Sequence, residues 1–204
     1  MTSPSAARSD GGAPPEEPVS PIEHPGDTAP PTRVLFVCLG NICRSPAAEG
    51  VFVHLLQREG LEHHFLVDSA GTGGWHVGNP PDRRMRDAAS RRGIALTSRA
   101  RQIEATDLHH FDHVLTMDDD NLDAVRRLAR QVDGRARIAP LTSHCRRLSA
   151  RAVPDPYYGG ADGFEEVLDL LEDACAGLLA GLLEERRRAG TPAADPAAEP
   201  GAMS

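Results

Sequence analysis

Lysine is absent: all 22 basic residues are arginine, which we read as a coding bias rather than a functional trait. No apolar run approaches the roughly 20 residues that a membrane-spanning helix needs, so no membrane partner is expected. Cysteine is sparse, four residues at irregular spacing with no CxxC and no Cys/His set. That excludes a secreted disulfide framework and a zinc site, and fits a reducing, cytoplasmic setting. No metal and no cofactor are expected. Nor does the N-terminus show the basic and then apolar segments of a signal peptide. Aromatics make up only 4% of the chain, with a single Trp and two Tyr, so where these three fall is informative.

What is present is unevenly distributed. Residues 1–32 hold eight prolines, five acids and one arginine, and residues 189–204 hold two acids and no base. Neither composition can bury a core, and both segments are expected to be disordered tails. Of the formal charge of −8, they leave −2 to residues 33–188. A near-neutral domain presents no basic face for nucleic acid. That middle stretch is long enough for one domain with a substantial core.

The domain is organised around Arg33 to Glu49, RVLFVCLGNICRSPAAE. Val34–Val37 is an unbroken apolar run, as expected of a strand buried on both faces of a parallel sheet. Ser45-Pro46 reads as a helix start, with Ser45 as N-cap and Pro46 at the first helical position. The loop between carries Cys38, Leu39, Gly40, Asn41, Ile42, Cys43 and Arg44. Gly and Asn most readily take positive φ, so this loop can curl with successive N–H groups pointing inward. Those groups and the helix N-terminus form an anion site, and Arg44 adds a planar fork for two phosphate oxygens. Cys38 lies at the bottom of the cradle, where the positive surroundings favour a thiolate nucleophile. The Cys-to-Arg spacing recurs at Cys145 and Arg151, but CRRLSAR has no Gly, no Asn and no preceding strand. It is a decoy.

Strands and helices alternate along the rest. A helix is expected from Ala47 to Glu59, strands at Phe65–Val67, His113–Met117 and Ala136–Leu141, and helices at Asp82–Arg92 and Leu122–Arg130. A last helix carries Phe164, Val167, Leu168, Leu171, Ala174, Cys175, Leu178, Leu179 and Leu182 on one face. The pattern predicts an α/β domain with a parallel sheet covered by helices on both faces. Ligands then sit beyond the C-terminal strand ends at the topological switch point, where Cys38 falls.

A thiolate that attacks phosphorus needs an acid for the leaving oxygen. Asp155, in VPDPYYGG, sits in a loop stiffened by prolines, and the alternative is an ordinary Asp-Pro turn. Asp118 and Asp119 are rival carboxylates, read instead as a strand end and helix N-terminus. Trp75, Tyr157 and Tyr158 all fall in loops, where flat faces could flank a phenyl ring; packing is the alternative for either tyrosine. The remaining histidines, the His63-His64 and His109-His110 pairs among them, read as solvent-facing.

CLGNICRSP resembles the active-site signature of the low-molecular-weight protein tyrosine phosphatases. DSAGTGGWHVGNPPD at 68–82, MDDDNL at 117–122 and DPYYG at 155–159 match in the same order. The resemblance covers residues 33–188. It implies a four-stranded parallel sheet of order 2-1-3-4 and hydrolysis of phosphotyrosine through a phosphocysteine on Cys38, with Arg44 binding phosphate and Asp155 as general acid and base. Trp75 and Tyr157 become pocket walls, with Leu39 lining the pocket. Ser45 and Ser69 become braces of Asn41. Where relatives often carry a His in that network, the match falls on Ser98. The implied partner is a phosphotyrosine-containing protein, for example a tyrosine kinase of the same cell. An arginine phosphatase, a thiol-dependent arsenate reductase and a non-catalytic phosphotyrosine-binding module share the scaffold. Relatives acting on phosphoarginine carry Thr at the position of Ile42, and the retained Cys38, Arg44 and Asp155 speak against a mere binding module. The oligomeric state is not legible.

Overall fold

The structure is a computed structural model that describes residues 29–158 and 161–190. Most of both composition-defined tails therefore lies outside the described residues. Four strands form one parallel sheet: β1 (Thr32–Cys38), β2 (Phe65–Gly71), β3 (His113–Thr116) and β4 (Arg137–Pro140), in the order β2-β1-β3-β4. Five helices connect and cover them: α1 (Arg44–Glu59), α2 (Arg83–Arg91), α3 (Asp107–His110), α4 (Asp119–Ala129) and α5 (Ala161–Gly190). The expected α/β fold and sheet order are those observed.

β1 is central and buried on both faces, as its apolar run requires. Val34 and Phe36 face a core shared with α1, α2 and α5; Leu35 and Val37 face a second one with Leu108, Phe111 and Val125; all four strand residues are fully buried. Phe36, Phe52 and Phe65 meet edge to face, at centroid separations of 5.7 and 5.8 Å, adding directional contact to area burial.

Several element boundaries differ from the sequence reading, each for a local reason. β2 runs on past Val67 to Gly71, because Asp68 and Ser69 pair their backbones with β1 although their side chains are polar. α4 begins at Asp119 rather than Leu122, capped by Asp118, whose Oδ1 accepts from Asn121 N–H at 2.7 Å. The four-residue α3 is too short to leave a periodic signal. Ser45 is not the N-cap of α1; the helix starts at Arg44 and the cap residue Cys43 makes no side-chain bond. The Ser45 hydroxyl is used elsewhere, as described below. Thr32 already belongs to β1, and α5 continues two residues beyond Arg188. Gly93, by contrast, follows α2 with φ +76°, the left-handed stop its sequence suggests.

Candidate active site

The loop 39–43 leaves the C-terminal end of β1, the strand that pairs with β2 on one side and β3 on the other. Asn41 has φ +54°, the one positive φ outside glycine among the described residues. Such a conformation costs on the order of 1–3 kcal/mol and persists only where its surroundings enforce it. Here they do. Asn41 Nδ2 donates to Ser45 Oγ and Ser69 Oγ, both at 2.9 Å, and its Oδ1 accepts from Arg101 N–H at 2.8 Å. Gly40 does not take positive φ, contrary to the reading of the loop. Space is tight instead: a Cβ there would lie 3.0 Å from the His76 ring, which would have to give by a few tenths of an ångström. Gly71 matters likewise, since a Cβ would come 2.8 Å from Leu39 O and 3.1 Å from Asn41 N. Gly71→Ala is therefore expected to push the loop off its support and lower phosphate affinity, which an inhibition constant for inorganic phosphate would read.

Cys38 is buried in the floor. Its sulfur receives the Asn41 N–H at 3.3 Å and lies 3.0 Å from Ser45 Oγ. Arg44, also buried, extends its fork across the cradle. Nη1 donates to Asp118 Oδ2 at 2.5 Å and to Val153 O at 3.3 Å, and Nη2 donates to Asp155 Oδ2 at 2.8 Å. Burial works against its charge, but the Cys38 sulfur, Asp118 and Asp155 outweigh it and raise the guanidinium above its ordinary value. The other oxygen of Asp155 accepts Tyr157 N–H at 3.0 Å. Cys38, Arg44 and Asp155 thus converge on one cavity of about 320 Å³.

Leu39, Gly40, Ile42, Cys43, Trp75 and Tyr157 line that cavity, as does His76. Trp75 stands 73% exposed at the mouth, its ring laid against Gly73, where an added Cβ would come within 1.7 Å of it. The side chain of Tyr158 lies outside the described residues, although its backbone closes the short 3₁₀ turn Pro156–Tyr158. Ser98 lies by the Glu49 carboxyl and makes no hydrogen bond to Asn41. The Glu49 carboxyl accepts from Ser69 Oγ at 2.5 Å, and burial holds it above its usual range.

Two carboxylates and the burial of five histidines were missed or misread from sequence. Asp118 does more than cap α4, because its second oxygen holds Arg44; its place at the end of the strand beside β1 was the available signal. Glu49 lies one helical turn beyond Ser45 and closes the network beneath Asn41. The view of the remaining histidines as solvent-facing fails for His54, His64, His76, His113 and His144, all half-buried. Burial pushes His113 and His144 below the usual imidazole range.

The decoy has a structural explanation. The N–H groups of Arg146, Arg147 and Leu148 do point at one anion, but it is the buried carboxylate of Asp173, at 2.9–3.3 Å. Arg151 is engaged with the rival carboxylate Asp119. A larger groove of about 970 Å³ opens at the other end of the sheet, by Thr32, His113 and Arg186, and holds no thiol. Among the described residues, no group of three or more His, Cys, Asp or Glu could hold a metal ion, and no helix is long and apolar enough to cross a membrane.

Comparison with known proteins agrees with this geometry. The family described as low molecular weight phosphotyrosine protein phosphatase matches residues 33–188. The low molecular weight protein-tyrosine-phosphatase YfkJ of Bacillus subtilis is 43% identical over 162 residues, covering 76% of this chain and 97% of its own. A protein tyrosine phosphatase of Entamoeba histolytica, solved with Hepes in its active site, superposes with a TM-score of 0.73 at 40% identity, over 76% of this chain and 99% of that one. A Drosophila arginine phosphatase superposes with a TM-score of 0.70 at 32% identity, over 73% and 96%. With its Cys38–Arg44 loop, sheet order and matched length all of one kind, the chain belongs to the low molecular weight phosphotyrosine protein phosphatase family.

Proposed function

We propose that the chain hydrolyses phosphotyrosine in proteins through a phosphocysteine on Cys38. The observation that carries this reading is the convergence of Cys38, Arg44 and Asp155 on one aromatic-walled cavity. Phosphate oxygens take the inward N–H groups of the loop and the Arg44 fork, displacing its contact with Asp155. The Cys38 thiolate attacks phosphorus; the bond to the phenolic oxygen breaks, and Asp155 gives that oxygen its proton. Water then attacks the phosphocysteine, Asp155 takes the water's proton, and the thiolate leaves. The loop's donors stabilise the charge on the equatorial oxygens in both steps. Trp75 and Tyr157 at the mouth suit a phenyl ring, whereas a phosphoserine is too short to bring phosphorus down to the buried sulfur. Four unpaired thiols among the described residues fit a reducing cytoplasm. Protein treated with EDTA is expected to cleave a phosphotyrosyl peptide and spare its phosphoseryl analogue. Dependence on added metal, or the reverse preference, contradicts the reading.

Ile42 bears on the arginine phosphatase alternative. Its half-buried apolar side chain lines the cavity and crowds a charged guanidinium. Ile42→Thr is expected to raise phosphoarginine turnover relative to phosphotyrosine, measured as a ratio of kcat/KM values. An unchanged ratio assigns the preference to Trp75 or the tyrosines instead. An arsenate reductase relay has no support, since Cys175 is fully buried on α5 and its thiol is pushed up by that burial.

Cys43 shares the cavity with Cys38. Once peroxide has converted Cys38 to a sulfenic acid, attack by Cys43 would form a disulfide and release water, stopping oxidation before the irreversible sulfinic step. Burial, then the nearby Asp82, pushes the Cys43 thiol up to about 12. It is therefore protonated at neutral pH, and its thiolate fraction rises about tenfold per pH unit below that value. Bridge formation should accelerate with pH accordingly. After peroxide and then reductant, wild type should regain activity and Cys43→Ser should not; equal recovery leaves Cys43 as a space-filling residue.

A further inference from the structure

The Asp155 carboxylate is held from two sides, by Arg44 at Oδ2 and by the Tyr157 N–H at Oδ1, and only the second hold survives substrate binding in the reaction above. The Arg44 contact is the one a bound phosphate competes for. The other runs through Arg84, the second residue of α2. Its guanidinium grips Asp82, the N-cap of that helix, with Nε to Oδ1 at 3.1 Å and Nη2 to Oδ2 at 2.9 Å. Nη2 also donates to Tyr157 O at 3.2 Å, and the guanidinium carbon lies 5.5 Å from the Tyr157 ring centroid and 4.9 Å from that of buried Phe164. Tyr157 N–H in turn donates to Asp155 Oδ1. At the opposite end, Asp82 N–H donates to Ile42 O at 2.7 Å. A continuous run of contacts therefore leads from the phosphate loop through Asp82, Arg84 and Tyr157 to Asp155, and none of them uses the phosphate-binding fork.

We propose that Arg84 is a positioning residue that fixes the reach of Asp155 relative to the phosphate loop while the substrate occupies Arg44. The proposal rests on the reading of Asp155 as general acid. The site demands arginine: two parallel bonds to a carboxylate, a third to a carbonyl and a flat face against two rings need a planar fork, which an ammonium does not supply. Arg84 touches no reacting atom. Its effect comes through the acid's placement, to which proton transfer is sensitive: a 1 Å misplacement costs on the order of 10²-fold.

The test is the leaving-group dependence of Arg84→Ala and Arg84→Lys. Both are expected to slow phenyl phosphate by about 10- to 100-fold while slowing para-nitrophenyl phosphate less, since a good leaving group departs with little protonation. Lys keeps the charge and should not rescue. The Arg84 side chain is 48% exposed, so both variants should fold, and thermal midpoints check that they do. On an Asp155→Ala background, Arg84→Ala should cost nothing further. Equal slowing of both substrates, or additive losses in the double variant, overturns the proposal while leaving Asp155 as the acid. If Asp155→Ala alone slows both substrates alike, the acid assignment fails, and this proposal with it.

Discussion

Cys38→Ser is expected to reduce phosphotyrosine hydrolysis to the background rate, a loss on the order of 10⁶-fold if this nucleophile matters as others do. The serine hydroxyl lacks an adjacent base, and its oxygen is far less nucleophilic than a thiolate at neutral pH. The loop should survive the exchange, because its shape is set by Asn41, Ser45, Ser69 and Arg101 and not by the sulfur alone. Substrate binding should therefore persist, so that the variant captures phosphotyrosyl proteins without releasing phosphate. Cys145→Ser is the matched control. The cradle following that residue is already filled by Asp173, and full activity is expected. Comparable activity in Cys38→Ser and wild type excludes the covalent route.

Asp155→Ala carries the second large effect. For a poor leaving group such as phenolate, loss of a general acid slows turnover by about 10²–10⁴-fold, equivalent to about 3–5 kcal/mol of barrier. Para-nitrophenolate should suffer less. The same substitution should tighten the binding of inorganic phosphate, because it frees Arg44 Nη2 from its 2.8 Å contact and removes a negative charge from beside the site. Slower catalysis combined with tighter product binding is a pattern that a loosened or misfolded site would not give. If both substrates slow alike and phosphate binds no better, Asp155 is a structural residue and the acid lies elsewhere, with Asp118 next in place beside the fork.

The sequence carried the fold wherever one face or both faces had to be apolar. The run Val34–Val37 identified a doubly buried central strand, and the helical spacing from Phe164 to Leu182 identified α5. It failed where backbone pairing carries the element without apolar side chains, as in Asp68 to Gly71, or where an element is one turn long, as in α3. The site was legible to the extent that its chemistry resides in unusual residues at short range. Cys38, Gly40, Asn41 and Arg44 stand in one loop, and the scarce aromatics lie in loops that meet it. Contacts between distant segments were not legible, because an aspartate that caps a helix looks the same whether or not its second oxygen is used. Asp118 with Arg44 is one such pair, Glu49 with Ser69 another, and Arg84 with Tyr157 a third. The two Cys-to-Arg spacings show the same limit from the other side. Both precede anion-binding N–H groups, and only the fold reveals that the second set is already occupied.

The phosphocysteine can be trapped directly. In Asp155→Ala, the residue proposed to activate the hydrolytic water is missing, so para-nitrophenyl phosphate should still phosphorylate the enzyme while dephosphorylation lags. Rapid quenching within the first turnover, digestion at a pH that preserves the thiophosphate ester, and mass spectrometry should place one phosphoryl group on the peptide containing Cys38. A phosphoryl group on any other residue, or release of phosphate with no phosphoenzyme at any time, contradicts the account.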